Sequence, residues 1–124
     1  MAKNWAARSA LTLLTALAVG VASAGVAHAA DITIRTESGN NVTATGEFVD
    51  DGDSFLLWDD YADGYAPTLE LQEIYGGGWK TIESITNRNG AKNNPVGFEY
   101  NISNSVYRMK LCAASCVFSG SFGE

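Results

Sequence analysis

Thr68-Leu69-Glu70-Leu71-Gln72-Glu73-Ile74-Tyr75, then Gly76-Gly77-Gly78, then Trp79-Lys80-Thr81-Ile82-Glu83-Ser84-Ile85 decides the fold. The first run alternates apolar and polar residues. A period of two puts successive side chains on opposite faces of a strand, whereas a helix would need apolar residues three and four apart. Three glycines end the run, and the second run returns as the other arm of a hairpin.

The same pattern continues in both directions. Toward the N-terminus, Ile32-Thr33-Ile34-Arg35-Thr36 is rich in β-branched residues and Ser38-Gly39-Asn40 supplies a turn. Val42, Ala44 and Phe48 then mark one face of a strand, with Thr43, Thr45 and Glu47 between them. Asp50-Asp51-Gly52-Asp53 carries an Asp-Gly turn signal into Ser54-Phe55-Leu56-Leu57-Trp58, whose near-continuous apolar run predicts burial on both faces and places Trp58 in the core. Toward the C-terminus, Asn87 to Pro95 is polar and aperiodic, which predicts a surface loop. Val96, Phe98, Tyr100 and Ile102 mark a further strand face. Tyr107, Met109 and Leu111 mark the next, with Arg108 and Lys110 facing out, and a last strand holds Val117, Phe118 and Phe122.

About eight short strands at roughly ten-residue spacing predict an all-β, single-domain antiparallel sandwich, since a single sheet would leave too many apolar faces in water. No stretch after the N-terminal segment sustains a helical period, and no internal repeat or linker divides the chain.

The N-terminal segment reads differently. Lys3 and Arg8 precede an apolar run from Ala10 to Val19, and Ala27-His28-Ala29 forms an A-x-A site. This is the layout of a secretory signal peptide over residues 1–29, with the mature domain at 30–124. The apolar run is shorter than the ~20 residues a membrane span needs, so the expected product is a secreted, extracellular chain with no span. Removing the leader takes two of the eight basic residues and none of the fourteen acids, changing the net charge from −6 to −8. Such a chain repels phosphate backbones, which argues against nucleic-acid partners. His28, the single histidine, leaves as well, and with it any Ser-His-Asp or Cys-His arrangement and any His-ligated metal. Cys112 and Cys116 are an even number in an exported chain, which predicts a disulfide. Closing so short a loop contributes roughly 2 kcal/mol in the chain-entropy model.

The run Asp59-Asp60-Tyr61-Ala62-Asp63-Gly64-Tyr65-Ala66-Pro67-Thr68-Leu69-Glu70 gathers acids between two strands. Against the calcium-loop template, Asp59 fits the first position, Asp63 the fifth, Gly64 the sixth, the Tyr65 carbonyl the seventh and Glu70 the twelfth; Tyr61 fails the third. Calcium held by Asp59, Asp63, Tyr65 and Glu70 is thus one reading. The other is that acids collect in exposed turns, with Glu70 an outward strand residue. Asp50, Asp51 and Asp53 add oxygens if their turn lies at the same end of the sandwich. Tyr61, Tyr65 and Trp79 are the candidate ligand contacts, because exposed rings beside carboxylates suit a sugar or a protein partner. Two of Asp53, Asp59, Asp60 and Asp63 could in principle serve a carboxylate-based hydrolase, but no nucleophile elbow, metal cluster or phosphate loop accompanies them.

Taken together, the Ala-rich leader ending Ala27-His28-Ala29, the segment ending Ala62-Asp63-Gly64, and the closing Lys110-Leu111-Cys112 to Cys116-Val117 hairpin with Ser119-Gly120 resemble the short secreted proteins of streptomycetes and related actinobacteria. Some of those proteins carry Asn where this chain has Tyr61, which would complete the calcium template. The resemblance implies export and the hairpin disulfide, and no activity. The expectation is a non-catalytic, monomeric extracellular module that binds a protein or glycan. An inhibitor of a secreted hydrolase is the alternative.

Overall fold

The computed structural model describes residues 27–28, 30–91 and 95–124. The basic and apolar parts of the expected leader lie outside the described residues. Among the described residues ten strands make two sheets. They are β1 (Ala27–His28), β2 (Ile32–Ser38), β3 (Asn41–Val49), β4 (Ser54–Asp59), β5 (Thr68–Tyr75), β6 (Gly78–Thr86), β7 (Val96–Glu99), β8 (Tyr107–Cys112), β9 (Cys116–Phe118) and β10 (Phe122–Gly123). One sheet runs β2-β3-β4-β7; the other runs β1-β10-β8-β5-β6, with β9 also on the edge of β8. All pairings are antiparallel except β1 with β10. The all-β sandwich expected from period-two patterning is therefore the fold.

Alternation sets which side chains meet between the sheets. Phe48, Phe55 and Leu57 point in from one sheet, and Leu69, Leu71, Tyr107, Met109, Leu111 and Phe122 from the other, all essentially inaccessible to solvent. An aromatic row crosses the interior from sheet to sheet. Phe98 stacks on Phe55, Phe55 lies against Phe48 at 4.9 Å, Phe48 stacks on Phe122 at 5.0 Å, and Phe122 packs on Tyr107. Burying each ring is favourable by about 1.5–3 kcal/mol, so these rings are a principal source of cohesion. Gly46, between inward Ala44 and Phe48, lets the sheets approach closely: a Cβ there would stand 2.9 Å from Leu69 Cδ1.

Three expectations need correction. Leu56 and Trp58 are only partly buried, because they alternate with Phe55 and Leu57 and so sit on the outer face of the four-stranded sheet. Thr43 is buried: a bulge between Thr36 and Glu37 turns it inward, where its hydroxyl meets that of Thr36 at 2.6 Å. Asn87 opens the polar loop yet is 1 % exposed. Its N–H donates to Pro67 O, its Nδ2 donates to Leu57 O at 2.9 Å, and its Oδ1 accepts from Asn89 N at 2.8 Å. Asn87 thus pins the corner where the chain passes between sheets, tying the β4–β5 connection to the end of β6.

Two other devices hold the remaining corners. Asp53, in the left-handed region at φ 52°, accepts Ile102 N on Oδ2 and Tyr100 N on its carbonyl, fixing the segment after β7. Cys112 and Cys116 are joined in a disulfide that closes the β8–β9 hairpin as expected. Where β9 gives way to β10, Ser119 keeps the ladder satisfied, its N–H donating to Met109 O and its Oγ accepting Met109 N.

Candidate functional site

The strands β2, β3 and β4 follow one another as a meander, so the β2–β3 turn and the connection after β4 emerge at the same end of one sheet. Between them lies a depression of about 520 Å³ lined by Arg35, Asn40, Asn41, Val42, Thr45, Asp60 and Tyr61. Arg35 projects from the outer face of β2 in register with Thr45, which pairs in turn with Trp58. Asp60 is anchored twice: its N–H donates to Thr43 O at 3.0 Å, and its Oδ2 accepts the Thr45 hydroxyl at 2.6 Å. Tyr61 follows at 41 % exposure and lines the depression together with Arg35, Asn40, Asn41 and Asp60.

The loop carrying these groups is folded by its own acids. Asp63 N donates to Tyr61 O, Asp63 Oδ1 accepts Tyr65 N at 3.0 Å, and Gly64 takes φ 84°. Asp59 ends β4 pointing inward, 6 % exposed, with a long 3.5 Å contact from Tyr61 N. Burial pushes its carboxyl above the usual range; the Tyr61 N–H opposes this, and the nearby charges of Asp63 and Asp60 add to it. Glu47, on the outer face, is likewise raised, first by burial and then by Asp31, with Arg35 acting against both.

The predicted calcium ligands are not brought together. Glu70 lies between inward Leu69 and Leu71 and so faces outward from the six-stranded sheet, where its Oε1 accepts Thr81 Oγ1 at 2.7 Å and Gln72 Nε2. Asp59 points into the sandwich from the opposite sheet. Sequence spacing suited to a loop flanked by helices does not carry over, because β5 begins at Thr68 and strand alternation then governs Glu70. Among the described residues no group of three or more His, Cys, Asp or Glu side chains could hold a metal ion. The Asp50–Asp53 turn adds nothing here either, since it lies at the other end of β4, about 17 Å away at strand rise.

The predicted aromatic contacts also separate. Tyr61 lines the depression and Tyr65, 54 % exposed, stands outside its lining on the same loop. Trp79 pairs with Ile74 at the far end of the β5–β6 hairpin, on the outer face of the other sheet. Arg35, Asn40, Asn41 and Thr45 belong to the site and are not among the ligand contacts expected from the sequence. The signal that could have found them is connectivity: two successive hairpins return the chain to the same end of the sheet, which puts Asn40 and Asn41 beside the residues that follow Trp58.

Comparison with protein-family models, with curated proteins and with solved structures gives no match to this chain.

Proposed function

We propose that this chain is a secreted, non-catalytic binding module that takes a polar ligand, a glycan by preference, in the depression beside Tyr61. The observation that carries this reading is the convergence of an exposed ring with Arg35, Asp60, Asn40 and Asn41 on one concave surface. Sugars offer hydroxyls to paired donors and acceptors and C–H faces to a ring. The engagement of the acids supports a non-catalytic role. Asp53 holds Ile102 N, Asp60 holds Thr45 and Asp63 holds Tyr65 N, while Asp59 is buried and outside the lining of the depression.

The test is retention of the mature chain on a panel of insoluble polysaccharides, including chitin, cellulose and purified cell wall. Retention on one of them, lost in Tyr61→Ala and Arg35→Ala and kept in Trp79→Ala, is the expected result. Retention that survives both changes would sink the proposal.

A second reading rests on Tyr65, which stands exposed on a turn fixed by the Asp63 side chain. A rigid exposed aromatic suits insertion into a hydrolase cleft. Inhibition of a secreted hydrolase that disappears in Tyr65→Ala but not in Tyr61→Ala would select this alternative.

A further inference from the structure

The outer face of the six-stranded sheet carries a second constellation, remote from the depression. Arg108 on β8 lies between two rings, its guanidinium carbon 4.5 Å from the Trp79 ring centre on one side and 4.2 Å from that of Phe118 on the other. Its Nε donates to Gln72 Oε1 at 2.7 Å. Gln72 is 8 % exposed, with its Nε2 donating to Glu70 and Thr81, so the group beneath the guanidinium is itself fixed. Lys110, two residues along β8, also lies over Phe118, its Nζ 5.8 Å from the ring centre. Arg108 is thereby a rigid cation with apolar flanks. No carboxylate among the described residues forms an ion pair with Arg108 or Lys110.

We infer that this face is a docking surface for an acidic protein partner, with Arg108 as the central anchor receiving a carboxylate between Trp79 and Phe118. Four observations favour that occupant. The chain carries net charge −6, yet this face presents Arg108 and Lys110 against one carboxylate, Glu70, which stands opposite Lys110 in the strand register and leaves Arg108 with Gln72 as its cross-strand partner. Of the five large hydrophobic residues exposed on the described chain, Ile74, Tyr75 and Phe118 are here or at the adjoining hairpin end, where Lys80 lies over Tyr75. Arg and Trp are the side chains most often found at the energetic centre of protein interfaces, and apolar flanks that exclude water strengthen an ion pair at that centre. Finally, each ring has one face packed against the guanidinium, and the surface is a sheet face instead of a cleft.

The experiment is a titration of ¹⁵N-labelled mature chain, following the Trp79 indole and Arg108 Nε–H signals. The probe is a random copolymer of glutamate and tyrosine; polygalacturonate and phosphatidylglycerol vesicles are parallel arms. The inference expects the copolymer to move both signals and binding to weaken as salt is added. It further expects about tenfold weaker binding in Arg108→Gln and in Phe118→Ala, with Arg88→Gln unchanged. Arg108→Lys keeps the charge but not the planar stack, and should also weaken binding. Thermal melts confirm that the variants are folded; Phe118→Ala, which removes an exposed ring, keeps the test open if Arg108→Gln does not fold. Binding only to polygalacturonate or only to vesicles, no binding to any probe, or full binding by folded Arg108→Gln or Phe118→Ala overturns the inference.

Discussion

Replacing Asn87 with alanine tests how this sandwich holds its corner. The side chain makes two hydrogen bonds that alanine cannot, to Leu57 O and from Asn89 N, while the backbone bond from Asn87 N to Pro67 O survives. The two losses differ in cost. Asn89 is exposed and its N–H can turn to water, so that bond is worth about 0.5–1.5 kcal/mol. Leu57 is fully buried, and stranding its carbonyl costs the desolvation of an unpaired acceptor, about 1–3 kcal/mol. The sum is about 1.5–4.5 kcal/mol, a large part of the stability of a domain this small. Urea unfolding of residues 30–124, followed by tryptophan fluorescence, should show the midpoint falling with the slope unchanged. Asn104→Ala, at an exposed position, serves as the near-neutral control. A loss for Asn87→Ala smaller than about 0.5 kcal/mol, the range of ordinary surface changes, would refute the view that Asn87 pins the two sheets.

Further consequences follow from single contacts. A methyl at Gly97 would stand 2.4 Å from Phe55 O, so Gly97→Ala should cost about 1–3 kcal/mol through displacement of β7, whereas Gly120→Ala, with open space around it, should cost far less when the two are melted side by side. For Asp59 the sign is set by a folded carboxyl raised above its unfolded value: the native state holds its proton more tightly, so the penalty is present at neutral pH and fades as pH falls through the folded value. Asp59→Asn should therefore melt above the wild type at pH 7, with the advantage shrinking toward pH 4; an advantage that grows on acidification contradicts the burial argument. Replacing Cys112 and Cys116 together with serine should cost roughly 2 kcal/mol and leave the fold intact by far-UV circular dichroism, because the disulfide closes only its own hairpin.

Much of this architecture was legible in the residues, for a definite reason. Strand alternation is local, and Leu69 with Leu71, or Tyr107 with Met109 and Leu111, announce an inward face without knowledge of any partner. Bulges and corners are not local. Thr43 turns inward because of a bulge against β2, and Asn87 is buried because two connections from different sheets converge on it. The site followed the same rule. Tyr61 was visible as an aromatic in an acidic loop, whereas Arg35 joins it only through strand register, and Glu70 leaves the loop because β5 claims it at Thr68. Trp79 is a candidate contact together with Tyr65, yet the eight residues of β5 carry the chain to the opposite end of the sheet before the turn that leads into Trp79.

The most direct test of the binding account is an amide chemical-shift map of residues 30–124, recorded with soluble oligosaccharides of whichever polysaccharide retains them. The account predicts that the perturbed signals centre on Arg35, Asn40, Asn41, Thr45, Asp60 and Tyr61, with Trp79 and Arg108 unmoved. Perturbations centred on the Trp79 face, with the Tyr61 depression silent, would contradict it.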